Sequence, residues 1–421
     1  MNCTLEFATQ ADFDDPLKEF RSEFLFPSNC CAYLCGNSLG LQSKKSREYV
    51  IGSLEKWSEE GVEGHFKNTG LGPWVTIDEL CVKNMAVIVG ALPVEVAIMN
   101  SLTVNLHLMM VSFYRPTQMR HKIIIEAKAF PSDYIAVRSQ ILEKGFDPDT
   151  SLVIVSPREG EEVIRTEDIL QAVESNKESV ALLLFSGLQY YSGQIFEMEK
   201  ITKETKRITC NECMVGFDLA HAVGNAELRL NEWGVDFAVW CTYKYLNSGP
   251  GGVGGVFVHS KHHDNEAVPR FSGWWGHRKQ DRFMMDNCFI PSPGAFGWQM
   301  SNPSVLSLVC LHGSLELFAK ATMLALRTKS RKLTQYLEDL LNSQIPAGEI
   351  KVITPTGEGR GCQLSLVFRR PIKEIHSHVE KQGVICDMRE PNVMRIAPAP
   401  LYNSFEDVHH FVMALKSFYA K

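Results

Sequence analysis

Nowhere in its 421 residues does this sequence sustain the roughly 18 uninterrupted apolar residues of a membrane span, and its opening, Met1-Asn-Cys-Thr-Leu-Glu, lacks the basic start of a secretory signal. Both absences lead us to expect a cytoplasmic protein with no membrane association. Positive charge is outnumbered, with 43 Lys and Arg against 49 Asp and Glu. A net charge of −6 argues against broad nucleic-acid binding, which needs a basic face, but leaves small anionic substrates to local arginines. The 12 cysteines are scattered, several within apolar runs such as those around Cys241 and Cys310, so they read as reduced core thiols and not as a disulfide scaffold. Cys210-Asn-Glu-Cys213 has the spacing of a redox or zinc half-site, yet no second pair and no His-x-His partner stands at ligand spacing, so no metal is expected. Internal repeats, low-complexity tracts and long linkers are also missing.

What is present is an ordinary globular composition, 45% hydrophobic and 22% charged, in a chain long enough for two packed domains. From about residue 120 to 260, apolar runs alternate with polar helical ones: Lys122–Ala127, Ser151–Val155, Val180–Phe185, the runs near Asp218 and Lys244, and Val253–Val258. Continuous apolar strands between helices predict an α/β domain with a mostly parallel sheet buried on both faces. Arg165–Val173 reads as an amphipathic helix with Thr166 as its N-cap, and Ser46–Glu60 as another. Helical periodicity then runs from Val305 to about Asn342, followed by strand candidates at Ile350–Ile353 and Cys362–Phe368, which suggests a smaller α+β domain. The expected division is 1–60, packing with the small domain, 61–305 as the large domain and 306–421 as the small one. Lys261–Asn265 reads as a polar surface loop.

Lys244 ends the stretch Asp236–Tyr245 and precedes the glycine-rich Ser248–Gly255, while Met214-Val-Gly-Phe-Asp218-Leu-Ala-His221 delivers a carboxylate and an imidazole three positions apart. Singly, a lysine or aspartate at a strand end is most often a solvated charge, a turn residue or a helix cap, and a histidine in a sheet protein is more often a core donor. In parallel sheets, however, ligands bind at the carboxyl ends of strands, where Ser186, Asp218 and Lys244 all fall. An amine, an anion and a ring hydrogen-bonding group together suit pyridoxal phosphate. The polar start of Asn100–Val111, with Thr103, describes a helix N-terminus that can take a phosphate, or a simple cap. Pro250–Gly255 is a weak match to a dinucleotide loop, because its glycines run into a strand instead of opening a helix.

Beyond these, Gly36–Leu41, Phe130-Pro-Ser-Asp133, Gly216–His221, Tyr243–Leu246, Gly273–His277, Ser301-Asn-Pro303 and Arg395–Tyr402, in that order, resemble the kynureninase family, animal type, within the aminotransferase-like pyridoxal phosphate enzymes of fold type I. That resemblance spans nearly the whole chain. It implies a seven-stranded sheet in the large domain, a homodimer, and hydrolysis of L-kynurenine or 3-hydroxykynurenine to L-alanine plus anthranilate or 3-hydroxyanthranilate. On it Lys244 would carry the cofactor and move protons, Asp218 would pair with the ring nitrogen, and His221 would sit by the ring hydroxyl. Phe130 would stack on the ring, with Pro131, Ser132, Asp133 and Ser186 nearby. Leu102, Thr103, Tyr243, Trp274 and Asn302 would hold the phosphate, the last two reaching across a dimer interface, and Tyr191 would be a further donor. Arg395 would fix the substrate's α-carboxylate, and Ser38, His65, Trp275 and Asn302 would surround its aryl ring, favouring a 3-hydroxylated substrate. A cysteine desulfurase or an aminotransferase of the same fold is the alternative within this class.

Overall fold

A computed structural model describes residues 3–265, 267–284 and 287–420. The apolar runs form a seven-stranded sheet of β1 (Val96–Ile98), β2 (Lys122–Glu126), β3 (Leu152–Val155), β4 (Val180–Ser186), β5 (Met214–Asp218), β6 (Phe237–Trp240) and β7 (Gly255–Val258). In space they follow the order β1-β7-β6-β5-β4-β2-β3. All contacts from β6 to β3 are parallel, and only β7 runs against its neighbours β1 and β6. Helices cover both faces of the sheet, so β5, β6 and β7 are buried almost throughout, as their unbroken apolar sequences require.

A second, antiparallel sheet contains β8 (Ile350–Val352), β9 (Leu364–Phe368), β10 (Asp387–Arg389) and β11 (Val393–Ile396), in the order β8-β9-β11-β10. Its core includes the helices Met323–Gln344 and Phe405–Tyr419. The helix Leu5–Phe13 packs on Phe405–Tyr419, and Ala32–Tyr33 pairs in parallel with Val384–Ile385. Lys44–Glu60 instead packs on Val305–Ala321, whose apolar side chains share the core of the large sheet.

Three local expectations are corrected. The periodic stretch from Val305 is two helices, Val305–Ala321 and Met323–Gln344, broken at Thr322. Thr322 takes φ 66°, and its side chain accepts the Ala325 N–H and caps the second helix. Thr166 is the first helical residue, Arg165 holds the cap position, and no side chain caps that end. Lys261–Asn265 is anchored: Lys261 and His262 reach the buried Asp236 at 2.8 and 2.9 Å, at the start of β6. Among the described residues no single helix is long and apolar enough to cross a membrane. The two helices either side of Thr322 reach that composition only as a pair bent by 81°.

Candidate active site

Parallel pairing puts the carboxyl ends of β2, β4 and β5 side by side, and the register aligns Ser186 directly with Asp218. A cleft opens above them. Its floor and walls include Asp218, Ser186, His221 and Lys244. Lys244 comes not from a strand end but from the turn after β6, which stops at Trp240. That turn is pinned from behind, since the Gly40 N–H donates to the Tyr243 carbonyl at 2.8 Å.

Inside the cleft, Lys244 Nζ lies 2.9 Å from His221 Nε2. Burial, reinforced by the charges of Lys244, Arg395 and Arg389, pushes the imidazole well below its ordinary value, so the ring is neutral and accepts the lysine's hydrogen. Asp218 Oδ1 accepts the Ala220 N–H at 2.7 Å. Burial, and then the neighbouring Asp218 charge, pushes the Asp133 carboxyl well up. Behind them, the buried Glu126 accepts the Ser186 hydroxyl at 2.6 Å and its N–H at 3.2 Å, and burial pushes it up to about 7. The Phe130 ring stands half-exposed at the cleft, edge-on to Tyr190 at 5.2 Å and 5.9 Å from Lys244 Nζ.

The helix Leu102–Phe113 points its N-terminus at the same space. Its cap residue Ser101 makes no side-chain cap bond, Leu102 and Thr103 line the cleft, and Thr103 Oγ1 is 2.7 Å from Ser132 Oγ. Tyr243 completes that wall. Two buried polar atoms at the cleft, His221 Nδ1 and Asp133 Oδ1, have no protein partner. Pyridoxal phosphate fits these residues: an amine for its aldehyde, carboxylates for its ring nitrogen, an aromatic face, and a helix N-terminus for its phosphate.

Other predicted residues stand apart from the cleft lining. Pro131 is exposed beside it, and Tyr191 lies one residue beyond the lining Tyr190. Arg395 is fully buried on β11, donating from Nε to Asp387 at 2.7 Å and from Nη1 to the Tyr190 carbonyl at 2.9 Å. Ser38 and His65 are half-buried outside the lining, and Trp275 is buried with Arg282 stacked on its ring at 4.2 Å. Trp274 and Asn302 are exposed and line no part of this chain's cleft. Tyr190, Glu126 and Asp387 are site residues that motif spacing does not reveal: Tyr190 and Glu126 acquire their places from neighbours far away in sequence, and Asp387 from pairing opposite Arg395 on the next strand. Cys210 and Cys213 lie at the end of β5 opposite Asp218, and no cysteine lines the cleft.

Solved structures share this architecture at low sequence identity. A C-DES variant with glycine covalently linked to its PLP cofactor aligns with a TM-score of 0.79 at 15% identity, covering 94% of this chain and 98% of its own. The cysteine desulfurase CsdA from Escherichia coli aligns at 0.77 and 15% identity, covering 96% and 98%. These alignments give the chain the fold type I architecture, with its cleft at the carboxyl edge of the large sheet. Curated relatives narrow this. Kynureninases from Nematostella vectensis, Myxococcus xanthus and Mus musculus are 48%, 50% and 48% identical, over 98%, 97% and 97% of this chain and 93%, 96% and 92% of theirs. The kynureninase C-terminal domain model matches residues 326–415. The chain belongs to the kynureninase family.

Proposed function

We propose that this chain hydrolyses the Cβ–Cγ bond of L-kynurenine and 3-hydroxy-L-kynurenine, releasing L-alanine and anthranilate or 3-hydroxyanthranilate. The contact that carries the mechanistic reading is Lys244 Nζ on the neutral His221 ring, above Asp218. Bound pyridoxal phosphate supplies the electron sink for the substrate's α-carbon. Within that frame Asp218 would pair with the ring nitrogen, and Asp133 and Ser186 would complete its surroundings. Lys244 takes and returns the proton at the α-carbon, with His221 keeping the amine oriented while adding no competing charge. Phe130 covers the ring. Leu102 and Thr103 at the helix end, with Tyr243 from the lysine turn, would hold the phosphate.

Arg395 receives the α-carboxylate. Nε and Nη1 are already fixed, so the Nη2 end of a rigid guanidinium remains for the ligand. Tyr191 and Tyr243 are the candidate donors to the γ-carbonyl oxygen. Ser38, His65, Trp275 and Asn302 form the aryl surroundings, and Trp274 and Asn302 serve the cleft of a partner copy in a cytoplasmic homodimer. Their exposure on this chain supports that assignment.

Purified protein with cofactor, given kynurenine and its 3-hydroxy form separately, is expected to release alanine and the fluorescent aryl product. Inertness toward both would reject the proposal. Lys244→Ala should abolish both turnover and covalent attachment of the cofactor by borohydride.

A further inference from the structure

Gln363 has no counterpart among the motifs above, yet it is completely buried at the junction of three segments that the proposed substrate site needs. Its Nε2 donates to the Tyr190 carbonyl at 2.9 Å and to Ser365 Oγ at 3.0 Å. Its Oε1 accepts from Asn37 Nδ2, also at 2.9 Å. A carbonyl can only accept, so the bond to Tyr190 fixes which end of the amide is nitrogen, and Asn37 is oriented in turn.

The sheet explains why these groups meet. Ser365 lies directly opposite Arg395 across the β9–β11 ladder, and Gln363 is two residues before Ser365, so all three project from one face. That face grips the loop beside the cleft. Arg395 and Gln363 both donate to the Tyr190 carbonyl, Ser365 Oγ donates to Tyr191 O at 2.5 Å, and Thr354 Oγ1 donates to Ser192 O at 2.6 Å. The Tyr190 ring meets Phe130 edge-on, and Asn37 precedes Ser38. One further sign points to a ligand at this cluster: Asn37 Oδ1 is buried with no protein partner, a costly state that a bound donor would relieve.

We propose that Gln363 is a positioning residue for the substrate. It locks the Tyr190 carbonyl against the Arg395 fork, and through Asn37 it holds the Gly36–Gly40 motif that carries Ser38. The carboxylate end and the aryl end of the substrate are thereby set at a fixed separation. This inference rests on Arg395 being the carboxylate-binding residue.

The test compares Gln363→Glu, which keeps shape but replaces the donor facing Tyr190 O with an acceptor, with Gln363→Met and Arg395→Lys, all as holoenzymes. For Gln363→Glu, KM for kynurenine should rise at least tenfold, as the loss of the two buried hydrogen bonds donated by Nε2 implies, while cofactor affinity stays within about twofold. The ratio of variant to wild-type KM should shrink as pH falls, because the neutral acid regains an O–H donor. A double-mutant cycle between Gln363→Glu and Arg395→Lys should be non-additive. An unchanged KM in Gln363→Glu with a raised KM in Arg395→Lys would overturn this inference alone. An unchanged KM in Arg395→Lys would instead remove the carboxylate reading beneath it. If Gln363→Glu does not accumulate, Gln363→Met answers the same question, and an unchanged KM there counts against the proposal.

Discussion

Glu126 illustrates how a single buried group can set a pH response. Its side chain is held by Ser186, and burial, with Asp218 adding repulsion, raises its value from 4.5 to about 7. A carboxyl raised on folding binds its proton more tightly in the folded chain. The resulting stabilisation is complete below about 4.5 and is lost as pH climbs through about 7. Glu126→Gln should therefore gain stability relative to the natural chain as pH increases from about 5 to about 8, by up to about 3 kcal/mol. Thermal unfolding of the cofactor-free protein across that range checks it, and parallel curves would show that Glu126 does not titrate. Glu126 is hidden in the sequence because an acid ending an apolar run looks like a strand terminus. Asp218 and Lys244 are legible because their flanking patterns are distinctive. Gln363 and Asp387 are not, because the role of Gln363 exists only once distant segments meet, and that of Asp387 only once its strand folds back on the next.

Among elements, the Gly36–Gly40 motif and the lysine turn are the most tightly interlocked. A β-carbon at Gly40 would collide with the Lys244 carbonyl and with Asn247. Gly40→Ala should therefore push the turn forward, weaken cofactor binding at least tenfold and lower stability by about 1–3 kcal/mol. Titrating the apoprotein with cofactor measures the first, and unchanged affinity would disconnect the motif from Lys244. The strands were readable because burial on both faces forces unbroken apolar runs, as in Phe237–Trp240. The break at Thr322 was not: apolar residues continue on both sides, and nothing in the local composition announces a residue with φ 66°. The turn that carries Lys244 past the end of β6 was obscured in the same way, by aromatic and apolar neighbours that resemble more strand.

At the scale of the whole molecule, Trp274, Phe283 and Phe66 form an exposed aromatic cluster, with ring centroids 5.4 Å apart for Trp274 and Phe283 and 5.8 Å for Phe66 and Phe283. Exposed aromatic groups of this kind favour contact with a partner, and we assign this cluster to the interface of the proposed homodimer. Phe283→Asp should yield monomers by sedimentation and weaken cofactor binding, and a variant that remains dimeric would exclude this patch from the contact. The antiparallel strand β7 adds a topological reason. It begins beside the cleft and ends next to Asp236 at the far end of the sheet, so the chain leaves β7 on the side away from Lys244 before it reaches Trp274 and Asn302. In the proposed homodimer, a protein lacking only Lys244 and another lacking only Trp274 would be defective in different halves of one centre. Mixed and allowed to exchange subunits, two inactive preparations should produce hybrids with one intact centre each, so activity would appear by complementation where neither parent has any.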